Sequence, residues 1–94
     1  MRLAFSPRAA RDLEEIGDYI ARDNLSRACS FIDEIQGHCN RIAEMPSAFV
    51  SRDDLTPGIC MAVHKSYLIL FRVLDGIVSI ERIVHGARRI SELL

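Results

Sequence analysis

Six side chains in the second half of the chain could carry polar chemistry. Arg52 lies in a loop, Arg72 and Arg82 sit within apolar runs, and His85, Arg88 and Arg89 fall near the end. Cutting an RNA strand without a metal needs a base for the 2′-hydroxyl, an acid for the leaving oxygen and cations for the charge building on phosphate. Histidine is the type among these suited to giving and taking a proton, so a nuclease made from them would centre on His85 with Arg88, Arg89 and Arg52. The same groups could simply bind. Arg88 and Arg89 follow a small Gly86-Ala87 step just past a strand, and such a basic tip suits a carboxylate-rich partner through forked hydrogen bonds. Arg72, Arg82 and His85 complete the expected partner-binding set. Structural uses compete with this reading: Arg72 could pair diagonally with Glu81 across two strands, Arg82 could lie at a core margin against an acidic side chain or helix end, and Arg88 and Arg89 could be a solvated chain end.

Cys29, Cys39 and Cys60 are odd in number and lie in apolar surroundings, which reads as reduced thiols in a cytoplasmic protein, most simply buried and inert. No C-x-x-C or H-x-x-x-H pair is present, so neither a zinc site nor another cofactor is expected.

The residues that could act must be positioned by the stretch Tyr67 to Arg89, YLILFRVLDGIVSIERIVHGARR. Two runs rich in Ile, Val, Leu and Phe flank Asp75-Gly76, a dipeptide that tolerates the positive φ angles of a two-residue hairpin turn. That turn predicts Leu74 opposite Ile77, Phe71 opposite Ile80 and Ile69 opposite Arg82. It also predicts a core face of Tyr67, Ile69, Phe71, Val73, Val78, Ile80 and Val84, and a mixed outer face of Leu68, Leu70, Arg72, Ser79, Glu81 and His85.

Upstream, Arg2 to Phe5 predicts an edge or companion strand. Ser6-Pro7 then offers an N-cap hydroxyl and a proline for the first helical turn. Ala9, Leu13, Ile16 and Ile20 recur at helical spacing to about Arg22, with a solvated polar face that includes Asp12. Asn24 can cap a second helix with the stripe Ala28, Phe31, Ile32, Ile35, Cys39 and Ile42, ended by Met45-Pro46. So short a link predicts an antiparallel helical hairpin. Ser47 to Gly58 reads as a loop, Ile59 to His64 as a further strand, Lys65-Ser66 as a turn, and 88–94 as a short terminal helix or a free tail. The expected class is α+β, one domain over residues 1–94, with the helical hairpin packed on a small, mainly antiparallel twisted sheet.

Ninety-four residues are near the lower limit for a self-sufficient core, so a partner or a second copy could add stability. Twelve basic and 13 acidic side chains give a formal net charge of −1, which lacks the positive field of a protein that holds nucleic acid through phosphates. The N-terminus turns acidic too soon for a signal peptide and no apolar run nears a membrane span, so a cytosolic location is expected.

The helix opening FSPRAARDLEEI, the helix end IAEMP, the loop RDDLTPGI and the terminal YLILFRV…ERIVHGAR together resemble the RelE/ParE toxin superfamily of type II toxin–antitoxin modules, in particular its ParE-like (plasmid stabilisation) branch. The likeness covers nearly the whole chain in order. It implies one of two activities: RelE-like members cut messenger RNA in the ribosome, whereas ParE-like members poison DNA gyrase. It also implies a ParD-like antitoxin whose extended segment folds on binding, and a hetero-oligomeric complex. The position where RelE-like enzymes tend to place a strand arginine is here Leu68, and the terminal tyrosine position falls at Leu93 or Leu94. The sequence departs from the ParE pattern at Cys60, where relatives often carry arginine, and at Ser51 and Ser66, where they often carry glycine. The resemblance thus favours a gyrase-binding toxin over a ribosome-dependent ribonuclease, with a non-toxic antitoxin-binding remnant as a third reading.

Overall fold

A computed structural model describes residues 1–86, which form β1 (Arg2–Phe5), α1 (Pro7–Ala21), α2 (Leu25–Glu44), a 3₁₀ turn (Pro46–Ala48), β2 (Val50–Ser51), β3 (Cys60–His64), β4 (Tyr67–Leu74) and β5 (Ile77–His85). The expected terminal helix and the positions Arg88, Arg89, Leu93 and Leu94 lie outside the described residues. Both helix starts follow the expected chemistry. Ser6 Oγ accepts from the Ala9 N–H at 3.0 Å with Pro7 in the first turn, and Asn24 Oδ1 accepts from the Arg27 N–H at 2.9 Å. Met45-Pro46 ends α2 as expected, because proline supplies no N–H to continue the ladder.

The five strands form one sheet in the order β1-β5-β4-β3-β2. The pairs β5-β4, β4-β3 and β3-β2 are antiparallel, while β1 runs parallel to β5 with Phe5 beside Ile80. The sheet is therefore mixed. A parallel neighbour needs a long crossover, which the helices and β2 to β4 supply between β1 and β5. The expected loop after the 3₁₀ turn contains the short edge strand β2, whose Val50 and Ser51 pair with Met61 and Cys60.

Asp75 and Gly76 take φ of 53° and 74°, both positive as a primed hairpin turn requires, and Leu74 faces Ile77 and Phe71 faces Ile80 as the sequence predicts. Beyond that point the register slips at a bulge: Leu70 lies opposite Arg82 and Ile69 opposite Ile83, so Glu81 is the extra residue. One inserted residue flips every side chain after it. Ile83 therefore enters the main core in place of Val84, and Val84 joins Ile59 and Leu70 on the other side of the sheet. His85, expected on the outer face, packs its ring edge-on against Tyr67 at 5.4 Å, on the helical side.

The main core lies between the helical hairpin and the sheet, with Ile16, Phe31, Ile35, Cys39 and Ile42 meeting Ile69, Phe71, Val78, Ile80 and Ile83. A second, smaller cluster of Ile59, Leu70 and Val84, flanked by Leu55, Met61 and Leu68, occupies the other face beneath the segment 52–59. Burying a side chain of this size contributes about 1.5–3 kcal/mol, so both layers are needed in a chain this short. Among the described residues no helix is long and apolar enough to cross a membrane.

Candidate functional site

The bulge that reorients β5 also decides where the candidate cations go. A bulged residue leaves ladder groups without strand partners, and here α1 and its N-cap residue supply them. Ser6 Oγ donates to the Glu81 carbonyl at 2.8 Å, and Asp12 Oδ2 accepts from the Ile83 N–H at 2.9 Å. Arg82 reaches the same carboxylate, its Nε donating to Oδ2 at 2.8 Å and Nη2 to Oδ1 at 3.1 Å. Both partners are buried, Asp12 at 8% and Arg82 at 7% exposure, and the carboxylate raises the guanidinium pKa above its usual value. Arg82, expected among the partner-binding groups, is therefore a bridge inside the fold; the alternative of an acidic mate at the core margin describes it. The expected solvated polar face of α1 needs the same correction at Asp12. Its signal was present, because Ala9, Asp12 and Ile16 share the buried stripe at spacings of three and four.

Arg52 and Arg72 serve the opposite side of the sheet. Arg52 forks onto Asp54, with Nε–Oδ1 and Nη2–Oδ2 both 2.8 Å, which raises its pKa, and its Nη1 lies 3.8 Å from Met61 Sδ. Arg72 lies opposite Ser79, and its guanidinium donates to the Pro57 carbonyl, so it anchors the loop; no ion pair with Glu81 is among the described contacts. Gly58 at φ +82° completes the anchor, since a Cβ there would stand 3.2 Å from Arg72 Nη1. Leu68 belongs to the apolar cluster under this loop.

His85 stands at the other end of the sheet. Arg52 lies at the Cys60 end of β3, whereas His85 pairs with Tyr67 beside His64, about 13 Å further along the strands and about 10 Å across two strand spacings. His85 and the loop arginine Arg52 are on opposite faces and do not share a site. Gly86 lies beside the chain itself: its N–H donates to the Ser66 carbonyl at 2.8 Å, closing the end of the hairpin. Arg88 and Arg89 fall outside the described residues.

What surrounds His85 is a pair of adjoining clefts between α1 and the strand ends. One, of about 210 Å³, is walled by Asp12, Glu15, Tyr19, Tyr67 and His85. The other, of about 530 Å³, is walled by Tyr19, Arg27, Phe31, Lys65, Tyr67 and His85. Three rings are common to both, and Tyr19 is 65% exposed at their junction with Arg22 stacked over it at 5.9 Å. One side is acidic and the other cationic. Arg27 and Lys65 lie over the Phe31 ring at 5.1 and 5.9 Å and converge on Glu34. The hydrogen bonds from Arg27, then Lys65, lower the Glu34 pKa to about 2. An aromatic floor with charges of both signs at its rim can hold a partner's side chains.

Of the cysteines, Cys39 is buried as expected and burial pushes its thiol up to about 11. Cys60 is partly buried, its thiol also raised by burial, and Cys29 is exposed, contrary to expectation. Among the described residues no three His, Cys, Asp or Glu side chains are grouped to hold a metal ion.

Sequence reasoning also missed a pair of polar groups. His38 on α2 and His64 at the end of β3 bring their Nδ1 atoms to 2.9 Å. His38 lies on the stripe of Phe31, Ile35 and Ile42, a helical spacing that could have flagged it.

The family described as the ParE toxin of the type II toxin-antitoxin system, parDE, matches residues 3–90. Among solved structures the chain is similar to the chromosomal ParDE TA system from P. aeruginosa, with a TM-score of 0.79 and 23% identity over 90% of this chain and 95% of that chain. At that identity the likeness shows a shared fold. No curated protein matches the chain. With the family pattern spanning nearly every residue of the helical hairpin and sheet, the chain belongs to the ParE toxins of type II toxin–antitoxin systems.

Proposed function

We propose that the protein acts in the cytoplasm by binding DNA gyrase and blocking it, and that a ParD-like antitoxin neutralises it in a hetero-oligomeric complex. The observation that carries this reading is the separation of the polar groups. Arg52 and Arg72 hold a loop on one face, Arg82 is engaged by Asp12 in the interior, and His85 lies on the other face among Tyr19, Tyr67 and two carboxylates. Metal-free cleavage of RNA requires proton donors and cations converging on one phosphate, and among the described residues these four do not converge. The cleft around Tyr19 and His85 instead has the make-up of a contact surface, with exposed aromatic area beside Arg27 and Lys65. Family membership supports the antitoxin, and the P. aeruginosa relative is itself described as part of a ParDE system.

The test is purified toxin added to gyrase and relaxed plasmid. Supercoiling should stop or cleaved DNA accumulate, and the antitoxin should reverse the effect. Undiminished supercoiling at large molar excess would remove the mechanism.

A further inference from the structure

The imidazoles of His38 and His64 meet Nδ1 to Nδ1 at 2.9 Å, joining the helical layer to β3 through side chains that no target-binding role requires. Their rings lie 5.2 Å apart, wedged between aromatic neighbours. Phe31 meets His64 edge-on at 5.6 Å, and Phe49 meets His38 at 6.1 Å and then Phe71 at 5.9 Å. We propose that His38 and His64 form a proton-operated clasp between α2 and β3, closed while at least one imidazole is neutral and forced open when both are protonated.

The proton inventory follows from hydrogen-bond chemistry. Two nitrogens 2.9 Å apart can share one hydrogen, so one Nδ1 donates and the other accepts. His64 Nε2 is buried without a hydrogen-bond partner and lies 3.8 Å from Glu34 Oε1. An N–H facing a carboxylate is favourable and a bare lone pair facing one is not. The neutral pair is therefore His38 Nδ1–H donating to His64 Nδ1, with the second hydrogen of the pair on His64 Nε2. A first proton leaves the shared bond in place and makes it charge-assisted. A second puts N–H against N–H at 2.9 Å, and the rings must part.

The charged groups around the pair are Glu34 and Arg41 on α2 and Lys65 in the turn after β3, with Arg27 bound to Glu34. Burial is the largest influence and lowers both imidazole pKa values below 6.5. For His38 the neighbouring His64 and then Arg41 add to it, and for His64 the attraction of Glu34 opposes it. The sign is fixed by linkage: the unfolded chain takes up protons near pH 6.5 that the folded pair resists. The clasp's stabilisation is thus complete above about pH 6.5 and lost as the pH falls through the lower folded values. Phe31 also walls the larger cleft, so the opening is transmitted to the surface beside Arg27 and Lys65.

Nitrogen-15 NMR of the imidazoles in the intact protein, titrated from pH 8 to 4, tests this. The expected result is two coupled steps below 6.5, the stated tautomers at neutral pH, and Phe49 ring signals that move with the second step. His38→Ala should shift the His64 midpoint upward and remove most of the loss of melting temperature between pH 7 and pH 5. If that variant fails to fold, Glu34→Gln serves: it withdraws the opposing carboxylate and should shift the His64 midpoint further down. Independent titration of the two rings near 6.5, or Phe49 signals indifferent to both steps, would overturn the proposal.

Discussion

Replacing Asp12 by alanine removes a carboxylate that holds two things at once, the Arg82 guanidinium and the Ile83 N–H beside the bulge. With side-chain exposures of 9% for Arg82 and 10% for Asp12, little water can replace the lost acceptor. Breaking a buried ion pair by removing one of its two members costs about 3–5 kcal/mol. The stranded N–H adds about 1–3 kcal/mol. Allowing for relaxation, at least about 3 kcal/mol should be lost, against a total of about 5–15 kcal/mol for a domain of ordinary stability. For a chain of this size that corresponds to a fall in melting temperature of at least about 12 °C. Arg82→Met should be milder, because Asp12 keeps its hydrogen bond from the Ile83 N–H. The double variant Asp12→Leu with Arg82→Met should be less damaging than Asp12→Leu alone, since no charge is then left buried. Urea unfolding followed by circular dichroism at pH 7 measures all four variants, and Asp12→Leu, Arg82→Met and their double close a double-mutant cycle with the unsubstituted chain. An Asp12→Ala loss under about 1 kcal/mol, the scale of an exposed pair, would refute the reasoning.

Arg72→Ala should release the Pro57 carbonyl, lower stability by about 1–2 kcal/mol and speed amide exchange across residues 52–59. Gly58→Ala should be destabilising by about 1 kcal/mol or more, because its φ of +82° disfavours a side chain and the new Cβ would press on Arg72 Nη1; a thermal melt checks it. The Glu34 carboxyl should titrate near pH 2 by carbon-13 NMR. Its ion pairs favour the folded state above about pH 4.5 and release it as the pH falls toward 2, and high salt should move the midpoint back up. Tyr19→Ala should leave the melting temperature within a few degrees while weakening capture by the antitoxin or gyrase about tenfold or more in calorimetric titration.

Local chemistry was the legible part of this chain. Ser6-Pro7, Asn24, Met45-Pro46 and Asp75-Gly76 each act on neighbouring backbone, and each shapes its element as the sequence implies. The parallel pairing of β1 with β5 was hidden, because strands about 75 positions apart leave no local mark of who adjoins whom. The bulge was written in the spacing, since Val78, Ile80 and Ile83 step by two and then by three, but a turn-based register carries the alternation straight through it. From that slip came the misplacement of Val84 and His85. At the candidate site, residue types alone suggested a basic cluster. Two guanidinium groups instead found partners in another element, Asp12 on α1 for Arg82 and the Pro57 carbonyl for Arg72, while Arg52 pairs within its own loop with Asp54. Charges on separate elements look available in sequence and become structural once the fold brings their partners to them. His38 and His64 were passed over for the converse reason, because a histidine on an apolar stripe shows its role only beside its mate on another element.

Induction of the protein in a susceptible cell without antitoxin, with plasmid supercoiling and message integrity followed in the same samples, tests most directly whether this toxin acts by binding gyrase. Supercoiling should collapse while translated messages stay whole. Codon-specific cuts in those messages with supercoiling untouched, abolished by His85→Ala, would contradict it.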